Sequence, residues 1–270
     1  MCRRSWKRSG GSPPLRSARR RMWRSRTSAS IGPRDRDLPV ATVSAVTWWA
    51  GGGGPPSSLK AVRADRFRAG SLRGAQWAWG LLAAACFAGT IHAAIVVLFR
   101  FVPFPAQAFH HGYDFSFIHS RSVQWLACVV SAASAGICEE TGFRGYMQQP
   151  IEKRHGALVA ILVSSLLFML LHLTKDWALI GMVPIIFGAG LLLGTLAWAS
   201  RSLVFCMIGH TIMDIGLFAY WWTQIAGTFS QLPISETGLD RAFLIECGLF
   251  AAFLLVTLTA IARLTRWRIA

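Results

Sequence analysis

Glu139-Glu140-Thr141-Gly142-Phe143-Arg144 sets two adjacent carboxylates and a cation into an otherwise apolar stretch. On a helix, neighbouring side chains point about 100° apart, so the two carboxylates cannot serve identical roles. Arg144 follows Glu140 by four residues and shares its face, the favourable order for an ion pair. Glu139 is left without a local partner, and an unpaired carboxylate in apolar surroundings is a candidate general base. Taken alone, the segment is equally well explained as a helix end carrying a surface ion pair. Two more groups stand in apolar runs: Phe168-Met169-Leu170-Leu171-His172 and His210-Thr211-Ile212-Met213-Asp214. A lone intramembrane histidine is more often a packing residue than a catalytic one. His210 and Asp214, however, share a helix face at i and i+4, a spacing that also suits paired metal ligands. Ionisable groups are costly in lipid, so a Glu pair, two His and one Asp on three such runs read together as a functional site.

The elements that must position these groups are visible as uncharged runs. Residues 74–99, 122–138, 155–174 and 177–200 contain no Lys, Arg, Asp or Glu. The stretch 202–235 contains only Asp214, and 242–262 only Glu246. A hydrocarbon slab about 30 Å thick needs roughly 20 helical residues, and a backbone in lipid must satisfy its own hydrogen bonds. The expectation is an all-α, polytopic transmembrane bundle of about six spans, near 77–99, 122–148, 156–173, 177–199, 202–225 and 242–262. Eleven Lys and Arg near the span ends fall on the side of the termini and four (Arg100, Arg121, Lys175, Arg241) on the other. That bias places both termini in the cytoplasm of an integral membrane protein, expected in a bacterial plasma membrane. Trp77, Trp79, Trp177, Trp221, Trp222 and Trp267 lie near span ends, where interfacial aromatics belong.

The whole chain of 270 residues carries a formal charge of +16, which would ordinarily point to nucleic acid. The distribution removes that reading. Residues 1–74 hold 17 Lys and Arg against 3 Asp and Glu, and residues 75–270 hold 11 against 9. Hydrophobic residues make up 53% of the chain, which excludes a disordered protein and an ordinary soluble domain. Residues 1–74 are rich in Arg, Gly, Pro and Ser and show no sustained period, so they are expected to form a disordered basic tail, a targeting segment or an over-extended start, with the membrane domain at 75–270. None of the six cysteines forms a CxxC pair. Neither a disulfide framework nor a zinc knuckle is expected.

The ordered set of motifs over residues 139–214 resembles the CPBP intramembrane proteases, which include the type II CAAX prenyl endopeptidases and bacteriocin-processing or immunity homologues. That family's pattern is EExxxR, then FxxxH, then HxxxN or HxxxD, each on its own helix. Here it stands as Glu139-Glu140…Arg144, Phe168…His172 and His210…Asp214. The resemblance implies peptide-bond hydrolysis in a cavity opening to the cytoplasm, acting on a membrane-associated protein or peptide, prenylated CAAX-like substrates included, with no nucleic acid involved. It implies that Glu139 with His172 activates water, that Glu140 with Arg144 holds the helix geometry, and that His210 and residue 214 stabilise the oxyanion. Where that family often has Asn, Asp214 must be protonated, orient His210 or bind a metal. Glu139, His172, His210 and Asp214 would suit zinc, and the sequence leaves metal-dependent and glutamate mechanisms open.

The depths of these residues are uneven when measured from the loops on the side of the termini. At about 1.5 Å per residue, Glu139 lies about 16 Å from Pro150, His172 about 24 Å from Gly156, and His210 about 12–13 Å from Ser202. His92 and Glu246 are weaker candidates for the cavity, and His110, His111 and His119 are assigned no role. The competing functions are a proton-coupled carrier, because carboxylate–histidine chains also build proton relays, and a silent immunity or scaffold protein. A carrier is expected to show a repeat, and no second EExxxR or HxxxD occurs.

Overall fold

A computed structural model describes residues 53, 56–68, 72–110, 115–178 and 180–269, with side chains as far as Trp267. The chain divides near residue 40, and the first unit, Met1–Val40, lies outside the described residues, as do most of the expected tail and His111. The second unit is built of helices and loops, with no strand among the described residues. Its helices are α1 Lys60–Arg66, α2 Gly74–Phe101, the short α3 Ala106–His110 and α4 Arg121–Glu140. A π-helical segment, Thr141–Gln148, carries α4 on into α5, Gln149–His155. There follow α6 Ala157–His172, α7 Val183–Ser200 and α8 Val204–Gly216. A second π segment, Leu217–Trp222, ends α8, and the short α9 Ile234–Thr237 precedes the long α10 Arg241–Ile269.

Local chemistry sets these boundaries. At the start of α2 the Gln76 side chain accepts a hydrogen bond from the Arg73 backbone N–H, at 2.9 Å. The helix stops at Val102, which is extended because Pro103 follows. Gly156, at φ 84°, separates α5 from α6 in a conformation that an L side chain disfavours. Pro184 opens α7, where its missing N–H costs nothing.

Among the described residues five helical stretches are long and apolar enough to cross a membrane: Gly74–Phe101, Arg121–His155, Ile180–Ser200, Val204–Trp222 and Arg241–Trp267. The expected six spans are therefore five full ones and one shorter apolar helix. α6 has only 16 residues, about 24 Å of rise, and ends at His172 inside the depth of its neighbours. Arg121–His155 has 35 residues, about 52 Å, which is well beyond the hydrocarbon thickness. The helix protrudes past Pro150 as far as His155, and counted from there Glu139 lies about 24 Å along it, level with His172, while His210 remains shallower.

At the protruding end the last part of the expected tail is ordered. Residues 57–66 are helical and dock on it. Arg66 donates to Gln149 at 2.8 Å, Arg68 pairs with Glu152 at 2.6 Å, and Asp65 pairs with Lys153 at 2.8 Å. The Leu203 N–H donates to the Phe67 carbonyl at 3.4 Å. Asp65 and Arg68 find partners of opposite sign, and Arg66 an amide, which composition alone does not show.

In the bundle α2 packs along α10 and against α8, α4 packs on α8, and α6 on α7. The approach of α4 to α8 is close because Gly136 carries no side chain. A Cβ there would lie 2.5 Å from Thr211 Oγ1. The tryptophans expected at the membrane interface are in part core residues. Trp177, Trp221 and Trp222 are buried and join Phe99, Phe104, Phe109 and Phe229 in an aromatic cluster at one end of the bundle.

Candidate active site

The close contact at Gly136 brings the next turn of α4 against the middle of α8, and there the polar groups meet. Glu140 Oε1 accepts from Arg144 Nη1 at 2.9 Å and from His210 Nδ1 at 2.7 Å. Arg144 also donates through Nη2 to the Gly190 carbonyl of α7 at 3.2 Å, and both Glu140 and Arg144 are fully buried. Glu140 thus does more than pair with Arg144 on its own helix: it links α4 to α8 and fixes the ring of His210. The Phe168 ring lies at the centre of the arrangement, 4.7 Å from the Arg144 guanidinium and 4.4 Å from the His172 ring, centre to centre. A guanidinium over an aromatic face is attractive, so the Phe of the FxxxH pattern holds both neighbours.

The remaining groups converge without touching. His172 donates from Nδ1 to the Phe168 carbonyl at 2.7 Å, which leaves Nε2 turned toward Glu139, 3.9 Å from its Oε2. His210 Nε2 lies 3.7 Å from the same oxygen and 3.5 Å from Asp214 Oδ2. That Glu139 oxygen is buried and has no hydrogen-bond partner. The two Nε2 atoms thus stand 3.7 and 3.9 Å from this unpartnered oxygen, beyond direct hydrogen-bond range. All six residues singled out in the sequence are thus brought together in one place.

Glu139, His172, His210 and Asp214 line a cavity of about 140 Å3. The wall includes Ile91 and Ile95 of α2, the first turns of α7, and Met213, Leu217 and Trp222. The loop after α6 closes it with Lys175 and Trp177. A larger apolar groove, about 540 Å3, runs between α2, α7 and α10 and shares Ile91 and Ile185 with this cavity. Arg263, late in α10, stacks on Trp79, early in α2, so the two terminal ends lie together. The cavity occupies the opposite half of the bundle, toward the loop that follows His172.

The weaker candidates are accounted for elsewhere. His92 does not line the cavity: it bonds the Met213 carbonyl at 3.0 Å and accepts from Trp221 Nε1 at 3.2 Å. Glu246 pairs with Arg100 at 3.4 Å. His110 bonds Gln224. Sequence reasoning missed Lys175, which looked like one more loop cation, and Trp177, which looked interfacial. Among the described residues no group of three or more His, Cys, Asp or Glu is found that would hold a metal ion.

A family model, type II CAAX prenyl endopeptidase Rce1-like, matches residues 119–216. The matched segment runs from just before α4 to the end of α8 and contains all six site residues, so the chain's resemblance to that family is borne out over this span. No curated protein and no solved structure matches the chain.

Proposed function

We propose that this protein is an intramembrane endopeptidase in which Glu139 and His172 activate a water for attack on a peptide bond of a membrane-associated substrate. The observation that carries the reading is the unpartnered Glu139 oxygen facing two imidazole Nε2 atoms at 3.7 and 3.9 Å. Glu139 takes a proton from the water as its oxygen attacks the carbonyl carbon. His172, its Nδ1–H fixed on Phe168, presents Nε2 to the same water. Among three carboxylates, His210 is suited to carry protons on both nitrogens, with Nδ1–H held by Glu140 and Nε2–H directed to the developing oxyanion. Asp214 balances that charge in place of the amide donor that an Asn would supply. When the C–N bond breaks, Glu139 returns its proton to the leaving amine, so a carboxylate and an amine are released. No step runs through a metal.

The groove between α2, α7 and α10 supports a substrate anchored by a hydrocarbon chain, because it adjoins the cavity and is almost wholly apolar. Chain orientation bears on the substrate. Eleven basic residues against four favour cytoplasmic termini, which turns the cavity end to the opposite face. A cytoplasmic prenylated CAAX tail would reach the cavity only in the reverse orientation. Reporter fusions at residues 110 and 230 against 153 separate the two. The activity itself is tested by incubating the purified chain in lipid with prenylated and unprenylated peptides, with and without chelator. Cleavage that survives the chelator is the expected result. Absence of cleavage from both peptides would put the carrier reading first.

A further inference from the structure

The wall of the cavity includes one cation that the chemistry above does not use. Lys175 and Trp177 both line it, two residues apart in the loop after α6. Lys175 is the one Lys or Arg among the lining residues; it is exposed, and no salt bridge holds it among the described residues. Trp177 is 8% exposed, yet its Nε1–H is buried with no hydrogen-bond partner. A buried donor left unsatisfied is costly, and in the wall of a cavity an acceptor on a bound molecule can meet it. The loop is also registered to the catalytic centre. The Lys175 N–H donates to the His172 carbonyl at 3.0 Å, and the Ala178 N–H donates to the Lys175 carbonyl at 2.9 Å. The Trp177 ring lies 6.0 Å from the His172 ring, centre to centre.

We propose that Lys175 and Trp177 bind the C-terminal carboxylate of the peptide, and so determine both substrate choice and the bond that is cut. The inference rests on the endopeptidase reading. The argument is one of charge and size. Glu139 and Asp214 make the cavity acidic, so a carboxylate entering it is repelled unless a cation meets it, and Lys175 is placed to do so. A cavity of about 140 Å3 is small beside the roughly 300–1,000 Å3 of ordinary ligand pockets. It suits the end of a chain better than an internal segment passing through. Lys175 supplies the charge, Trp177 supplies a directional N–H, and the fixed distance to His172 counts residues back from the terminus.

Three peptides of one sequence test this: a free acid, a C-terminal amide, and an amide carrying an internal Glu. The wild-type chain in lipid is expected to prefer the free acid over both amides by about tenfold in kcat/KM, with the difference in KM. Lys175→Met should bring the acid-to-amide ratio to about one, Lys175→Arg should keep most of it, and Trp177→Phe should reduce it in part. A wild-type ratio near one, or a ratio unchanged in Lys175→Met, overturns the proposal. Equal cleavage of the acid and the internal-Glu amide would show a general anion site and overturn the C-terminal assignment. Fluorescence anisotropy of labelled peptides on the Glu139→Gln variant separates recognition from chemistry. An acid preference there that Lys175→Met abolishes supports the recognition site even if the wild type cleaves nothing, in which case the endopeptidase reading fails by itself. No preference in binding overturns the inference.

Discussion

Arg144 and Arg100 are both buried guanidiniums, 0% and 2% exposed, and they are held in different ways. Arg100, at the end of α2, donates to Gln231 at 3.0 Å, Thr237 at 3.0 Å, Asp240 at 2.6 Å and Glu246 at 3.4 Å. All four partners come from one later stretch of chain, so this cation ties the loop before α10, and the head of α10 itself, to α2. Arg144 has one carboxylate, one carbonyl and two aromatic faces, Phe143 and Phe168. Its carboxylate, Glu140, passes the restraint on to His210. A buried arginine with many partners is a clasp, whereas one whose single acid partner has a second client is a relay of position. The first should be read out as stability alone and the second as stability and rate together.

The largest expected effect lies beside the relay and outside it. Glu139→Gln keeps the shape of the side chain but removes its basic oxygen, so peptide cleavage should fall on the order of 10²-fold or more with an unchanged melting temperature. Wild-type rates from a folded Glu139→Gln chain would remove the catalytic assignment. Glu140→Ala strands Arg144 and unfixes His210 in one step. It should cost about 3–5 kcal/mol of stability in thermal unfolding and abolish cleavage as well. If Glu140→Ala lost activity with full stability, the relay description would fail. Arg100→Met should destabilise by about 1–3 kcal/mol, less than Glu140→Ala because its acid partners are partly solvated, and folded protein should cleave at the wild-type rate. A slow but fully stable Arg100→Met would erase the distinction between the two arginines. Asp214→Asn is expected to keep activity, since an amide at that position can donate to the oxyanion directly.

The smallest effect is in acid. Asp240, just outside the membrane, is held below its ordinary value of 3.8, first by the Phe243 N–H at 2.7 Å and then by Arg100. A carboxylate depressed by folding adds stability above its unfolded value and loses it as pH falls through the folded one. The contribution is therefore present at neutral pH and fades below about pH 4. Asp240→Asn should flatten the acid limb of a melting-temperature profile below pH 4 and leave the neutral region nearly level. An unchanged acid limb would show that the clasp draws on other groups.

The bundle and the site were legible in the sequence to different depths. Uncharged runs located the helices because lipid demands them, and intramembrane charge located Glu139, Glu140, His172, His210 and Asp214 because lipid penalises it. What stayed hidden depended on partners distant in sequence. Glu140 and Arg144 were readable as an i, i+4 pair, but the bond from His210 spans 70 residues and depends on Gly136 letting two helices touch. Residues 57–67 looked like part of a structureless basic tail because their acid and amide partners lie beyond residue 148. Trp177 and Trp222 obeyed the rule for membrane interfaces by position and broke it by packing against each other, with ring centres 5.2 Å apart.

The π-helical segment at Thr141–Gln148 has a consequence for how this chain can change over generations. A π turn accommodates one residue more than an α turn, and deleting that residue is the simple way to undo it. Such a deletion would rotate everything before the segment by about 100° against everything after it. Ahead of it stands Glu139, facing two imidazoles. Behind it stand Gln149, Glu152 and Lys153, gripped by the helix that precedes the bundle. Each grip could tolerate exchanges of individual side chains, but both together make the residue count between them invariant, so this stretch should accept substitutions far more readily than any change in length.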